Sequence, residues 1–193
     1  MQRTARPNKS ALVGRVTPCA SQPQLSCLID WPIPLHSAHE SARPQKLPHP
    51  IPQWVAEGSW FFITINCVPR DKNQLCRTDI GAAVLAAIKH NHKKLAWHCR
   101  LCLLMPDHLH AILALPREPG MATVIKNWKK YVTGKHGVDW QRDFFDHRLR
   151  NHHEVEEKTS YILMNPVRKG LCQRAEDWLW VYRPDDRPPP LLG

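Results

Sequence analysis

The chain has 193 residues, a formal net charge of +10 and a pI of about 9.5. This length suits one domain with a tail, and the charge favours a polyanionic partner such as nucleic acid, the alternative being an ordinary basic protein. No apolar run is long enough for a transmembrane helix and no signal peptide opens the chain, so we expect a cytoplasmic protein. Its seven cysteines are then expected to be reduced thiols.

The two ends of the chain differ in composition from its centre. Residues 1–43 contain many prolines and show no sustained hydrophobic period, which predicts disorder or an over-extended start of the reading frame. Residues 44–183 form the predicted folded domain, which begins with a proline-rich, extended lead-in. Residues 184–193 are predicted to be a flexible tail.

Within this domain, segments with strand character alternate with segments of helical period. The predicted elements are, in chain order, a strand over residues 60–68, a helix over 79–94 capped by Thr78 or Asp79, a strand over 95–104, a turn at Pro106-Asp107, a strand over 108–115, a helix over 121–131 that ends before Gly134, a strand over 144–150, and a helix over 153–165 closed by Pro166.

The order of these elements indicates the fold class. Strand–helix–strand–strand–helix–strand is the ferredoxin-like order, here with one further helix. We therefore predict an α+β protein with a ferredoxin-like antiparallel sheet and helices packed on one face, plus the disordered N-terminal segment. Trp178 and Trp180 are expected to anchor the C-terminal segment on this domain.

Two histidines in the third predicted strand are candidate metal ligands. They occur in the segment Met105-Pro106-Asp107-His108-Leu109-His110. Side chains two apart in a strand point to the same face, so His108 and His110 would present adjacent imidazoles with Leu109 buried on the opposite face. Because imidazole is the commonest neutral metal ligand, the pair predicts half of a divalent-metal site. A His-x-His pair on its own is more often incidental.

Two other sets of possible ligands are weaker. His90 and His92 lie at the end of the first predicted helix, where a solvated basic surface explains them. Cys99 and Cys102 are three apart in a strand, so their thiols should face opposite sides of the sheet. We therefore expect core cysteines there and not a structural zinc site.

The last predicted helix carries a candidate nucleophile and a candidate third ligand. Tyr161 and Asn165 are four residues apart and would share one face of this helix. The carboxamide oxygen of Asn165 would complete the metal site beside Tyr161. A phenol is a poor nucleophile at neutral pH, but a nearby cation stabilises the phenolate and polarises a phosphate oxygen. The arrangement suits attack on a phosphodiester through a covalent tyrosyl phosphate.

Three segments of the chain, in this order, resemble the hallmark phrases of one family. The family is that of the single-tyrosine HUH (His-hydrophobic-His) transposases, and within it the REP-associated tyrosine transposases. The resemblance runs from about Pro44 to Arg183 and leaves the N-terminal segment uncovered. The three matching segments are Met105-Pro106-Asp107-His108-Leu109-His110, residues 140–150 (WQRDFFDHRLR) and residues 161–171 (YILMNPVRKGL).

The resemblance implies both a substrate and a set of roles. It implies a domain that binds single-stranded or hairpin DNA, such as repeat palindromes, and that is nucleoid-associated when bound. His108 and His110 match the metal-binding pair for Mg²⁺ or Mn²⁺, Asn165 the residue that completes the metal site, and Tyr161 the nucleophile. The implied product is a 5′-phosphotyrosine adduct with a free 3′-hydroxyl. The protein would be a monomer or homodimer, with Tyr161 acting in its own subunit or in the partner.

Basic side chains are candidate DNA contacts, since ammonium and guanidinium groups neutralise phosphates and guanidinium also reads guanine edges. A solvated surface charge is the alternative for each of them. They are Lys126, Lys129, Lys130, Arg142, Arg148, Arg150, Arg168 and Lys169. Tyr131 directly follows the cluster of Lys126, Lys129 and Lys130 and is the rival nucleophile, but it has no amide side chain one turn further along the helix.

The predicted function is therefore a metal-dependent DNA nickase and strand transferase of the transposase type. A non-catalytic nucleic-acid-binding module is the alternative, because ferredoxin-like sheets also present exposed aromatic residues to RNA. Here the third strand carries histidines instead of such aromatics. A decayed gene that retains the family's motifs is a third possibility.

Overall fold

The computed structural model describes residues 50–184, which form one antiparallel sheet with helices. The strands lie side by side in the order β4-β1-β3-β2-β5, whose first four members have the ferredoxin-like arrangement. The predicted α+β class is confirmed. The elements are β1 (Trp60–Asn66), α1 (Thr78–Lys93), β2 (His98–Met105), β3 (His108–Ala114), α2 (Met121–His136), β4 (Phe145–Leu149), α3 (His152–Leu163), the short α4 (Asn165–Arg168), a 3₁₀ turn (Ala175–Asp177) and β5 (Val181–Tyr182).

The sheet is covered on both faces, which differs from the predicted packing on one face. One face carries Phe61, Ile63 and Ile65 of β1 and packs against the buried residues of α1 and α2. The opposite face carries Phe62 and packs against Val155 and Ile162 of α3. The central strands β2 and β3 are buried along most of their length, so their second apolar face also needs a cover, as is usual for strands with near-continuous apolar sequences.

Two helix ends differ from their predicted positions for local reasons. The helix α2 runs past Gly134 and ends only at Gly137, whose φ of 66° is in the left-handed region that closes helices. The helix α3 ends at Leu163, but Pro166 does not stop the chain from being helical. Pro166 lies in the first turn of α4, where a missing N–H is tolerated.

The starts of the helices also differ from the predicted caps. The residue preceding α1 is Arg77, and no side chain caps this helix. In contrast, α3 has a reciprocal cap that the sequence analysis missed. Asn151 Oδ1 accepts a hydrogen bond from the Glu154 N–H (2.9 Å), and Glu154 accepts one from the Arg150 N–H (2.8 Å). This cap fixes where α3 begins, directly after β4.

The C-terminal segment is held against the β2 edge of the sheet. Its strand β5 pairs with β2, and Trp178 donates a hydrogen bond to the Leu104 carbonyl (2.9 Å). Trp180 packs on the α1/α2 side and Trp178 on the α3 side. The predicted anchoring role of both tryptophans is confirmed. The predicted boundary near residue 43 and most of the predicted tail lie outside the described residues. Among residues 50–184, no helix has the length and apolarity needed to span a membrane.

Candidate functional site

His108 and His110 lie side by side on the α3 face of the sheet. Their ring centroids are 4.8 Å apart, and Leu109 between them is buried on the opposite face, as predicted. The neighbouring strand β1 places Asn66 directly opposite His108 and Thr64 directly opposite His110. Side chains that face each other in this way project from the same side of the sheet. The pair is therefore surrounded by polar groups on a face that is otherwise apolar.

Each imidazole is oriented by a hydrogen bond at Nδ1. His108 Nδ1 bonds to Asp107 Oδ1 (2.7 Å), and His110 Nδ1 bonds to the Thr64 hydroxyl (2.9 Å). Neither Nε2 has a hydrogen-bonding partner within the described part of the chain. A carboxylate or hydroxyl on one ring nitrogen and a free second nitrogen is the arrangement found around metal-binding histidines. The two imidazoles thus fit the predicted ion.

Both rings favour the neutral form that can bind a metal. Burial, together with the smaller effect of the positive charge of His108, Lys158 and Arg168, lowers the pKa of His110 to about 3. Burial also lowers the pKa of His108, although the hydrogen bond to Asp107 opposes this effect. At neutral pH both rings are therefore uncharged, and the Asp107 carboxylate favours the tautomer of His108 that leaves a lone pair on Nε2.

Asp107, which the sequence analysis assigned only to a turn, binds three groups around the site. Besides binding His108, its carboxylate accepts hydrogen bonds from Arg70 Nε (2.9 Å) and the Asp71 N–H (3.0 Å). Burial raises the pKa of this carboxyl, but the bonds from His108 and Asp71 and the charge of Arg70 hold it below its usual value. The site thus has a fixed negative charge directly behind His108.

A second network joins the loops at this end of the sheet. Asn66 donates to Gln141 Oε1 (3.0 Å) and accepts a hydrogen bond from Arg70. Gln74 donates to the Val68 carbonyl (3.0 Å) and accepts from the Asp139 N–H (3.0 Å). Residues 66–74 and residues 139–141 are far apart in sequence, so no local pattern could have revealed that they meet beside His108.

Tyr161 lies on α3, over the same face of the sheet. Its side chain is 42% exposed, and two cations flank its ring: Arg168 at 4.1 Å and Lys158 at 4.8 Å from the ring centroid. Lys158 also lies 4.9 Å from the ring of Phe62, which in turn stacks on His110 with 5.4 Å between centroids. A continuous set of contacts therefore connects the candidate nucleophile with the histidine pair.

Asn165 is buried and only partly satisfied. It begins α4 instead of lying on α3, so a break at Met164 separates it from the helix of Tyr161. Its Oδ1 accepts a hydrogen bond from Arg168 (2.8 Å), whereas its buried Nδ2 has no partner. A carboxamide oxygen has two lone pairs, so Arg168 leaves one for a cation. Residues 50–184 contain no group of three His, Cys, Asp or Glu side chains able to hold a metal. The predicted set has two such side chains and one amide.

The predicted DNA contacts lie on both sides of the sheet. Lys126 and Lys130 are exposed on α2, which covers the face opposite the histidines, as does the rival nucleophile Tyr131. Arg148 also projects to that side, where its guanidinium lies 5.0 Å from the Trp54 ring centroid. The remaining exposed residues lie in the α2–β4 loop, after β4, in α4 and just beyond α4; they are Arg142, Arg150, Arg168 and Lys169.

Lys129 does not fit its predicted role as a DNA contact. Its side chain is buried, and its ammonium donates to the carbonyls of Gln141 and Arg142. The lysine falls on the inward side of α2 because the helical period turns it toward the α2–β4 loop. It fixes that loop, and with it Gln141, beside Asn66.

The ferredoxin-like sheet carries the His-hydrophobic-His pair on its third strand, which is the arrangement that the resemblance to HUH domains implies. The REP-associated tyrosine transposase of Escherichia coli (strain K12) is 29% identical over 128 residues, 65% of this chain and 76% of the relative. A putative REP-associated tyrosine transposase of Haemophilus influenzae (strain ATCC 51907 / DSM 11121 / KW20 / Rd) is 25% identical over 142 residues, 63% of this chain and 78% of the relative.

A solved structure agrees with the relatives found by sequence. It is a REP-associated tyrosine transposase bound to a REP hairpin, with a TM-score of 0.58 and 25% identity over 68% of this chain and 80% of that chain. No protein-family model matches the chain. The resemblance predicted from the three motifs is thus confirmed: the chain is similar to REP-associated tyrosine transposases in sequence and in fold.

Proposed function

We propose that this protein is a DNA nickase and strand transferase that cuts and rejoins single-stranded or hairpin DNA through a 5′-phosphotyrosine on Tyr161. The observation that carries this proposal is the continuous contact from the Tyr161 ring through Lys158 and Phe62 to His110. These contacts support the proposal because they bring a phenol, two neutral imidazoles and several cations together on one face of the sheet. The similar transposase bound to a REP hairpin supports a hairpin substrate.

The reaction conserves the number of phosphoester bonds. The Tyr161 hydroxyl loses its proton and attacks the phosphorus, a P–O bond to tyrosine forms, and the bond to the 3′ oxygen breaks. The departing 3′ oxygen takes up a proton, so the step consumes no water. A second 3′-hydroxyl reverses the sequence and rejoins strands. Arg168 and Lys158 hold the tyrosine ring from two sides and supply positive charge for the phosphate.

His108, His110 and the Asn165 oxygen are the residues that would hold the Mg²⁺ or Mn²⁺ ion. Such an ion would polarise the phosphate oxygens as a Lewis acid. The protein's contribution is to fix both imidazoles through Asp107 and Thr64, and to keep them neutral by burial. Oxygen ligands suit Mg²⁺ well, whereas two imidazoles shift the preference toward Mn²⁺.

The nucleophile can be tested with a matched pair of tyrosine variants. Labelled single-stranded and hairpin oligonucleotides are incubated with Mn²⁺, and the DNA-linked peptide is identified by mass mapping. Tyr161→Phe removes only the hydroxyl and should abolish the adduct, whereas Tyr131→Phe, a similarly exposed tyrosine on the opposite side of the sheet, should leave it unchanged. An adduct that persists in Tyr161→Phe would refute the assignment. DNA binding that resists EDTA, with no adduct in any variant, would favour the non-catalytic binding module.

A further inference from the structure

An exposed phenylalanine lies beside the histidine pair and has no role in the site described so far. Phe145 is the first residue of the edge strand β4, and 51% of its surface is exposed. It lies directly opposite Thr64 of β1, which lies directly opposite His110 of β3. Residues that are opposite each other across a sheet share one face. Phe145 therefore stands in the same row as His110, two strand spacings or about 10 Å away.

The ring of Phe145 continues an aromatic row that starts at the histidine. Phe145 meets Phe62 edge-to-face with 6.1 Å between centroids, and Phe62 stacks on His110. Of these rings, Phe62 and His110 are buried, so Phe145 alone presents substantial surface to solvent. The helix α3 covers Leu149, at the other end of β4, and leaves Phe145 uncovered.

We propose that Phe145 stacks on one unpaired nucleobase of the DNA strand whose backbone lies at the histidine pair. The inference rests on the proposed function and deepens it by naming the side chain that holds one unpaired base of the bound strand. Aromatic side chains bind unpaired bases of any sequence because every base has a π-face. A paired base would keep its faces inside the duplex and could not reach the ring.

The surroundings of Phe145 favour a nucleotide over a protein partner. Lys158 lies 4.9 Å from the ring of Phe62, which contacts Phe145, and Lys158 and Arg168 would attract the phosphate backbone. A protein interface would need a larger apolar patch. The next residue of β4 on the same face, however, is the exposed His147. One ring in a polar, cationic setting suits a base with its phosphate.

The test separates base stacking from phosphate binding. Affinities for two 20-nucleotide probes, oligo(dT) and an abasic strand with the same number of phosphates, are measured by fluorescence anisotropy in EDTA. Phe145→Ala should weaken oligo(dT) binding by about 5- to 150-fold and change abasic binding less than about twofold. Phe145→Trp should restore the preference for bases. An equal loss on both probes, or no loss, would overturn the proposal.

Tyr131 provides the matched control, since it is 52% exposed but lies on α2, over the opposite face of the sheet. Tyr131→Ala should leave the ratio of the two affinities unchanged. If that variant lowers the ratio while Phe145→Ala does not, the unpaired base is bound on the α2 side and the proposal is wrong. A change of oligomeric state in Phe145→Ala, without a change in the ratio, would instead assign the ring to a protein interface and overturn it.

The outcomes also distinguish this proposal from the proposed function. If the Tyr161 adduct forms and the base preference is unchanged in Phe145→Ala, only the stacking proposal fails. If the base preference falls but no adduct forms in the unmodified protein, the stacking site stands and the nickase assignment fails. Failure of the unmodified protein to bind either probe would overturn both.

Discussion

The two faces of the sheet carry different kinds of side chain, although the same strands supply both. The face under α1 and α2 is filled by apolar residues such as Ile65, Leu109 and Leu113. The face under α3 is apolar at its centre but ends in Asn66, His108 and His110. Successive side chains of a strand point to opposite faces, so a residue in the apolar core and a residue of the site can be direct neighbours in sequence. The apolar packing of α1 and α2 therefore stabilises the sheet, and the α3 face of the same sheet can carry polar groups.

The largest contrast should come from the histidines themselves. We expect His108→Ala and His110→Ala to abolish the DNA–tyrosine adduct while DNA affinity stays within about threefold, because phosphates are bound mainly by lysine and arginine. The measurement is adduct yield in Mn²⁺ beside binding in EDTA. His90→Ala, an exposed histidine at the end of α1, is the control and should retain activity. Equal loss of binding and cleavage would point to a folding defect instead.

The residue between the histidines should behave in the opposite way. Leu109 is 1% exposed on the α1/α2 face, so Leu109→Ala should lower the free energy of unfolding by about 2–5 kcal/mol. Denaturant unfolding followed by circular dichroism measures this change. His108→Ala, on the other face, should change unfolding much less. A comparable loss in both variants would show that the two faces do not divide stability from chemistry.

A smaller effect is expected from the carboxylate behind His108. Asp107→Asn keeps the shape but removes the charge that orients the ring, so Mn²⁺ affinity should fall by about 10- to 100-fold. Calorimetric Mn²⁺ titration measures it, and excess Mn²⁺ should restore part of the adduct yield. Asp71→Asn in the β1–α1 loop is the control, because its backbone N–H still binds Asp107 and asparagine tolerates the positive φ of this position. An unchanged affinity in Asp107→Asn would remove Asp107 from the site.

The smallest effect tests whether DNA also reaches the α2 side. Lys130 is exposed there, so Lys130→Ala should reduce the slope of log affinity against log salt by about 0.7–0.9 and leave stability unchanged. Its neighbour Lys129 is buried and binds two backbone carbonyls. Lys129→Ala should therefore lower the melting temperature without changing the slope. A slope that is unaffected by Lys130→Ala would confine DNA to the α3 face.

Much of the fold could be predicted because its signals are local. The first three strands, the Pro106-Asp107 turn and the burial of Leu109 follow from alternation and turn chemistry. The packing of α3 on the second face could not be predicted, since a buried strand has the same kind of apolar sequence whichever helix packs against it. A β-bulge between Cys99 and Leu101 likewise puts Cys99 on the same side as Cys102, against the expected alternation.

The site was predictable only where its residues are neighbours in sequence. The histidine pair follows from two-residue spacing, and Tyr161 with Asn165 from the resemblance and helical spacing. Arg70 and Gln141 reach the site on loops and Asn66 at the end of β1, and their meeting depends on the order of the strands in the sheet. Lys129 is buried because the rotation of α2 about its axis turns this side chain toward the loop that follows, and composition carries no information on that rotation.

Trp178 and Trp180 pack on opposite faces of the sheet beside β2, which limits how this protein can be shortened. Removing the chain from Ala175 onward would leave the outer backbone groups of β2 without β5 and would uncover apolar surface on both faces at once. A bare hydrophobic edge of this kind recruits strands from other molecules. A shortened domain must therefore retain residues up to Tyr182, because without β5 we expect it to aggregate.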